Sequence, residues 1–281
     1  MTANSSPLTG SLRDVAGTIV LVGAGNMGSA MLQGWLGLGL APERVVILDP
    51  KPSDALLARL DPAVRCNPPL DGLKDVAALV LAVKPQVAPE VIPGLASLIG
   101  RDTVAISIMA GKTIAFMEQG LPGAAAVRAM PNTPAAIGRG ITVAVPNARV
   151  TDAQRRLTTR LLAACGKVEW VEDEALIDAV TAVSGSGPAY VFLMAESLAR
   201  AGAAAGLPQD LAARLARETV AGAGELLHRS ELEASKLREN VTSPAGTTAA
   251  ALAVLMADDG LDPLLKTAVA AAARRSRELA G

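Results

Sequence analysis

The first half of the chain alternates short apolar runs with stretches of helical spacing. Thr18-Ile19-Val20-Leu21-Val22, Val45-Val46-Ile47-Leu48-Asp49, Ala77 to Val83, Thr103 to Ile108 and Ala125 to Met130 are apolar runs of strand length, and Ala63 to Cys66 is a weaker one. Helical patterns fall between them over Asn26 to Leu38, over Ser53 to Leu60 behind a serine cap, and over about Val87 to Ile99. A strand over Ile141 to Val145, a helix over Asp152 to Cys165 and a last strand over Val168 to Val171 close this half. Strands without a polar face, alternating with helices, predict a doubly wound, mostly parallel sheet covered on both sides. After Glu172 no strand pattern follows. Leu176 to Val183, Ala189 to Ala204, Leu211 to His228 and the tail from Leu261 have helical spacing and many alanines. The pattern predicts a flexible polar lead over 1–16, an α/β domain over 17–173 and an all-helical domain over 174–281.

Composition adds a constraint. The chain has 281 residues, about 1.9 times a 150-residue domain, which suits one large or two ordinary domains. The apolar set is 51%, and 26 glycines bring it to roughly 60%, against a usual 45–50%. Either the chain meets a membrane or it buries surface beyond a monomer's core. The uncharged stretch Val15 to Pro42 tests the first option. It holds seven glycines with Asn26, Ser29 and Gln33, which argues against a spanning helix. The lead MTANSSPLTGSLRDVAG has neither the basic nor the apolar region of a signal peptide.

Charge and rare residues narrow the chemistry. Lys and Arg number 26 against 27 Asp and Glu, a net of −1, and there are five aromatics (2 Trp, 1 Tyr, 2 Phe), so no nucleic-acid partner is expected. His228 is the single histidine; it excludes a multi-histidine metal site, and no metal is expected. Its place before Arg229 at a helix end suits a surface or capping role. Cys66 and Cys165 are too few for a disulfide framework or a four-cysteine zinc site. They read as buried structural thiols of a reducing, cytoplasmic compartment.

Five motifs carry candidate chemistry. Gly23-Ala24-Gly25-Asn26-Met27-Gly28 follows a strand and opens a helix, the context that a dinucleotide fingerprint of the Rossmann type requires. Gly23 allows the tight turn, Gly25 admits a pyrophosphate to the backbone, and Gly28 permits close helix–strand packing. Asp49 ends the next strand 21 residues after Gly28, where a carboxylate accepts a ribose 2′-hydroxyl. That carboxylate should repel a 2′-phosphate and favour NADH, although Lys51 offers the phosphate a partner. A structural glycine turn without ligand is the competing reading. The second motif, Leu81-Ala82-Val83-Lys84-Pro85, marks the carboxyl edge of the sheet, where ligands sit; a solvated strand-end lysine is the alternative. In the third, Arg128-Ala129-Met130-Pro131-Asn132-Thr133-Pro134, two prolines frame an Asn-Thr pair and restrict the loop. The fourth, Ser184-Gly185-Ser186-Gly187-Pro188, is either a tight helix–helix turn or a site of close backbone approach. The fifth, Val241-Thr242-Ser243-Pro244-Ala245-Gly246-Thr247-Thr248, precedes an alanine-rich helix whose first N–H groups would bind a carboxylate. Ser243 or Thr247 capping that helix without a ligand is the alternative.

In this order the motifs resemble those of the pyrroline-5-carboxylate reductases, from about Thr18 to the end of the chain. The most specific stretch is Leu237-Arg238-Glu239-Asn240-Val241-Thr242-Ser243-Pro244-Ala245-Gly246-Thr247-Thr248. The resemblance implies reduction of Δ1-pyrroline-5-carboxylate to L-proline with NADH or NADPH. It also implies a homodimer interlocked through C-terminal helices, higher rings such as a decamer, and a site at the dimer interface. Ser243, Gly246, Thr247 and Thr248 would bind the substrate carboxylate, Thr248 would stand near the imine nitrogen as the catalytic residue, and Glu231 would be a second partner for that nitrogen. Gly23, Gly25, Asn26, Met27, Gly28, Asp49 and Asn67 would hold the adenosine and pyrophosphate, and Ala82, Lys84 and Pro85 would line the cofactor. Met109, Ala110, Met130 and Asn132 would surround the nicotinamide. Ala245 replaces the first glycine of a pair frequent in the family, a change of one small methyl group.

The implied chemistry suits these residues. A protonated cyclic imine is already electrophilic, so it needs a positioned hydride donor and no histidine or metal. Two readings compete. A β-hydroxyacid dehydrogenase shares the glycine fingerprint and a helical second domain, but it relies on a lysine in the long helix after Gly187, and no lysine lies between Lys167 and Lys236. A catalytically silent nucleotide-binding sensor is the other.

Overall fold

The computed structural model describes residues 10–280. The chain forms two compact units, one reaching to Gly185 and including the tail from Ala273, the other Ser186–Ala272. The first contains β1 (Thr18–Val22), α1 (Asn26–Gly37), β2 (Val45–Leu48), α2 (Asp54–Leu57), β3 (Arg65–Cys66), β4 (Val76–Leu81), α3 (Ala88–Val91), β5 (Val104–Ser107), α4 (Ile114–Gly120), β6 (Ala125–Met130), β7 (Gly140–Pro146), α5 (Asp152–Ala163), β8 (Gly166–Trp170) and α6 (Leu176–Val180). These strands form one sheet in the order β3-β2-β1-β4-β5-β6-β7-β8. Neighbours pair in parallel except β6 with β7, as Met130 opposite Val143 and Arg128 opposite Val145.

The strand period of two explains the two cores. Ile19 and Leu21 of β1 point to the layer of Met31, Trp35 and Leu161, whereas Val20 and Val22 point to the layer of Ile92, Leu98 and Met117. Trp35 Nε1 satisfies its buried donor by donating to the Leu161 carbonyl at 2.8 Å, joining α1 to α5. The order reverses where β1 meets β4, and that switch point opens a crevice at the strands' carboxyl ends.

Several expectations shift. The helix read over 87–99 is α3 followed by a 3₁₀ stretch, Ile92–Leu98, because Pro93 lacks an N–H to continue the α ladder. The predicted pattern missed α4, which Thr113 caps by accepting the Phe116 N–H at 3.1 Å. The strand β7 runs antiparallel because only nine residues, Pro131 to Arg139, join it to β6, fewer than a parallel crossover needs. The polar lead is packed from Leu12 onward. Leu12 is buried beside Trp35, its N–H donates to the Leu38 carbonyl at 2.9 Å, and Asp14 pairs with Arg160. Residues 1–9 lie outside the described residues.

Cys165 is buried as expected, and burial pushes its thiol up to about 11. Cys66 is exposed, contrary to expectation, because β3 is a two-residue strand at the sheet edge, both of whose residues are exposed. The boundary expected at 174 also differs from the compact units. Ile177 of α6 is buried with Val143 and Val145, and Ser276 donates to Asp178 at 2.6 Å, so α6 and the tail pack with the first unit.

A π-helical turn, Thr181–Gly185, follows α6. The helical unit then comprises α7 (Gly187–Ala204), α8 (Gln209–Arg229), α9 (Ala234–Asn240), α10 (Thr247–Leu255) and the start of α11 (Leu261–Ala280). A Cβ placed on Gly202 of α7 would sit 3.4 Å from the Ala212 Cβ of α8, so small residues let these helices approach closely. Among the described residues of this unit only Ala212 and Ala216 are buried. Phe192 (62% exposed), Val254 (72%) and Leu264 (65%) lead a broad apolar surface. The helical stretch Leu176–Ala204 is long and apolar enough to cross a membrane by length and composition, and 11% of its most apolar window is buried. His228 is exposed in the last turn of α8.

Candidate functional site

The glycine loop joins β1 to α1. Gly23 has φ +89°, and a Cβ there would lie 2.8 Å from the Ala82 carbonyl of the neighbouring strand end. A Cβ on Gly28 would run into the Gly23 carbonyl, whereas one on Gly25 meets nothing within 4 Å. The first and third glycines are thus required by packing, and the second faces open space, as an approaching phosphate needs. Gly25 is the N-cap of α1 and no side chain caps the helix, so the first-turn N–H groups keep their anion-binding capacity.

Asp49 follows β2 and closes the loop. Its Oδ2 accepts the Ala24 N–H at 2.7 Å and its Oδ1 the Lys51 N–H at 2.8 Å. Asn67, at φ +48°, brackets it: Asn67 Oδ1 accepts the Asp49 N–H at 2.9 Å, and Asn67 Nδ2 donates to the Asp49 carbonyl at 2.8 Å. The carboxylate therefore holds the glycine loop, and Asn67 holds the carboxylate.

Two clefts meet at this loop. One, of about 590 Å³, is lined by Ala24 to Met27 and by Gln33, Asp49, Lys51, Ser53, Arg59 and Thr133 among others. The second, of about 400 Å³, is lined by Gly25, Asn26, Met27, Ala82, Val83, Lys84, Pro85, Ile108, Met109 and Ala110. Gly25, Asn26 and Met27 belong to both, which makes one path across the switch point.

Met130 and Asn132 line neither cleft. Met130 packs beneath Gly185, where an added Cβ would come within 2.7 Å of its Cε. Asn132 Oδ1 accepts the Ile141 N–H at 3.0 Å and so starts β7. Two residues before Met130, the buried Arg128 donates to Glu174 Oε1 at 2.8 Å, and the same oxygen accepts the Ile114 N–H at 2.9 Å. This pair pins the start of the helical half to β6 and α4.

In the helical unit, Ser243 to Gly246 form a turn in which the Gly246 N–H donates to the Ser243 carbonyl at 3.1 Å. Gly246 is the N-cap of α10, with no side-chain cap. Ser243 and Thr247 therefore do not cap the helix, and the hydroxyls of Ser243, Thr247 and Thr248 make no hydrogen bond among the described residues. Glu231 is exposed between α8 and α9. Ala245 has φ +56°. Its methyl matters through the backbone and not through its size, because the left-handed region favours glycine.

The sequence pattern assigned Gln33, Ser53 and Arg59 no place in the site, and it marked Thr133 only within the restricted loop of the third motif. Gln33 lies seven residues after Asn26 on the same helical face, so helical spacing from a recognised position would have found it, whereas Arg59 lies past the end of α2 and had no such signal.

Comparison with known proteins agrees with this geometry. Residues 174–279 match the family model for pyrroline-5-carboxylate reductase dimerisation, and residues 18–111 match that for NADP oxidoreductase, coenzyme F420-dependent. The chain is 41% identical over 261 residues to the pyrroline-5-carboxylate reductase of Synechocystis sp., covering 92% of this chain and 97% of that one. The solved structure of a pyrroline-5-carboxylate reductase from Coxiella burnetii superposes with a TM-score of 0.87 at 33% identity, covering 95% of this chain and 100% of the other. That of the Plasmodium falciparum pyrroline carboxylate reductase with NADP bound gives 0.78 at 27% identity, covering 96% and 99%. With such identity over nearly the full length of both proteins, the chain belongs to the pyrroline-5-carboxylate reductase family.

Proposed function

We propose that this protein reduces Δ1-pyrroline-5-carboxylate to L-proline, taking hydride from NADH or NADPH, and so serves proline biosynthesis. One observation carries the reading: the loop Val241 to Thr248 resembles the family's signature apart from Ala245, and among the described residues it leaves three hydroxyls and an uncapped helix start without protein partners. Ser243 and Thr247 are exposed, so water satisfies these groups in the free protein, and a substrate carboxylate can take its place.

The residues at the glycine loop fit a dinucleotide. Gly25 opens space at an uncapped helix, and Asp49 keeps acceptor capacity beyond its two N–H partners. When bound, the nicotinamide supplies the hydride. The N–H groups of α1 hold the pyrophosphate, Asp49 accepts a ribose hydroxyl, and Asn67 keeps Asp49 in place. Ala82, Lys84, Pro85, Met109 and Ala110 flank the nicotinamide half. Met130 and Asn132 shape that end by fixing β6 and β7.

Ser243, Gly246 and Thr247 hold the substrate carboxylate at the start of α10. The Thr248 hydroxyl accepts a hydrogen bond from the protonated imine N–H, and Glu231 is a second acceptor for that nitrogen. The proton that the product amine needs is already on the substrate, so no residue must act as a strong acid.

The apolar surface of the helical unit supports a homodimer through its helices, extended into a ring such as a decamer, with Phe192 and its neighbours facing another subunit rather than lipid. A balanced charge supports a partner list without nucleic acid, and the thiol usage supports a cytoplasmic setting. Steady-state oxidation of NADH and NADPH by purified protein tests the function. Oxidation that requires pyrroline-5-carboxylate and yields L-proline supports it; cofactor binding without that oxidation rejects it.

A further inference from the structure

We propose that the last turn of α11 is the outer support of the turn Met109-Ala110-Gly111-Lys112, and that Ser276 anchors it there as a positioning residue for the nicotinamide half of the cofactor. The inference rests on the dinucleotide reading above and deepens it.

The sheet holds this turn from within. The Ile108 N–H donates to the Leu81 carbonyl at 3.0 Å, the Met109 N–H donates to Ser107 Oγ at 3.3 Å, and the Lys112 N–H closes the turn on the Met109 carbonyl at 3.4 Å. Gly111 stands at the third position with φ +71°, a conformation that disfavours any side chain. Met109 and Ala110 line the second cleft, so a shift of Gly111 is passed directly to them.

The outer side of the turn is covered by α11. A Cβ placed on Gly111 would lie 3.1 Å from the Leu279 carbonyl oxygen and 3.5 Å from the Leu279 Cβ, so the helix backbone rests on the turn. The Leu279 residue is 60% exposed, and its side chain therefore anchors little. The helix must be held from elsewhere, and Ser276 does so. It lies three residues earlier on the same helical face, it is buried, and its hydroxyl donates to Asp178 Oδ1 at 2.6 Å. Asp178 belongs to α6, whose Ile177 is buried against Val143 and Val145 of β7. Support thus runs from the sheet through α6 and Ser276 to the back of the turn. Neither Ser276 nor Asp178 lines either cleft, so both act through the turn and not on a ligand.

The test separates the two halves of the cofactor and needs no catalysis. Binding of NADH and of ADP-ribose, which lacks the nicotinamide, is measured by isothermal titration for wild type, Ser276→Ala, Ser276→Thr and a variant lacking residues 279–281. Ser276→Ala and the shortened variant should weaken NADH by about 3- to 10-fold and leave ADP-ribose within about twofold, and Ser276→Thr, which keeps the hydroxyl, should restore most of the loss. NADH affinity unchanged in both variants overturns the inference and leaves the dinucleotide reading standing. Equal weakening of NADH and ADP-ribose also overturns it, because that pattern marks a general loosening of the fold. Wild-type protein that binds neither ligand rejects the dinucleotide reading, and the inference with it.

Discussion

Ala245 offers a sharp test of the backbone geometry in the Ser243 to Thr248 loop. At φ +56° its backbone is left-handed, a conformation that costs a residue with a Cβ about 1–2 kcal/mol. Glycine escapes that cost but loses more chain entropy on folding, about 0.4–1 kcal/mol. Ala245 is exposed, so removing its methyl forfeits no packing. The net gain for Ala245→Gly is about 0.5–1 kcal/mol, which corresponds to a rise in Tm of about 1–4 °C for a chain of this size. Gly123 supplies the mirror experiment. It has φ +81° at the third position of a turn closed by the Ala124 N–H to the Leu121 carbonyl at 3.1 Å, and an added Cβ meets nothing within 4 Å. Gly123→Ala should therefore lose about as much as Ala245→Gly gains, through backbone conformation alone. Both are read by thermal unfolding monitored by circular dichroism at one protein concentration, since subunit association makes Tm concentration-dependent. A lower Tm for Ala245→Gly alongside a lower Tm for Gly123→Ala would refute the assignment of strain to Ala245.

Three other outcomes follow from the same structure. Thr248→Ala should lower kcat/KM for pyrroline-5-carboxylate by the equivalent of about 1–3 kcal/mol with little change in Tm; unchanged kinetics remove Thr248 from the site. Glu174→Ala strands the buried Arg128 guanidinium (6% exposed) and the Ile114 N–H, and should cost about 2–3 kcal/mol in urea unfolding, less than a fully enclosed pair because Glu174 is 31% exposed. Glu174→Gln, which keeps an acceptor, should cost about half of that. For Cys165 the folded thiol is raised to about 11 from an ordinary 9, so its contribution is fully present below pH 9 and is lost as pH rises towards 11. The stability advantage of wild type over Cys165→Ala should shrink across that window, and a constant difference would contradict it.

Much of the first unit was legible because buried strands impose a simple pattern. Val20 and Leu21 belong to opposite cores, and only an unbroken apolar run serves both. The glycine loop was legible because three glycines at fixed offsets answer three steric demands. The reversal of β7 was not, since direction depends on the length of the connection and not on the strand's residues. The 3₁₀ course after Val91 turned on Pro93, and α4 turned on a cap at Thr113 that an apolar pattern does not display. At the site, residue identity showed where Asp49 lies but not that both its oxygens are engaged. Nor did a small residue at position 245 disclose a left-handed backbone. The apolar excess in the composition was the most informative global quantity, because it reappears as the uncovered surface of α7, α10 and α11.

If this chain carries hydride from a nicotinamide to a cyclic imine, the transferred atom must appear in the product. Nicotinamide dinucleotide deuterated at the transferable position, mixed with purified protein and pyrroline-5-carboxylate, tests it most directly by mass spectrometry of the product. Hydride transfer gives L-proline carrying one deuterium at its Cδ, the former imine carbon. Recovery of unlabelled proline, or of no proline from protein that binds the cofactor, would contradict it.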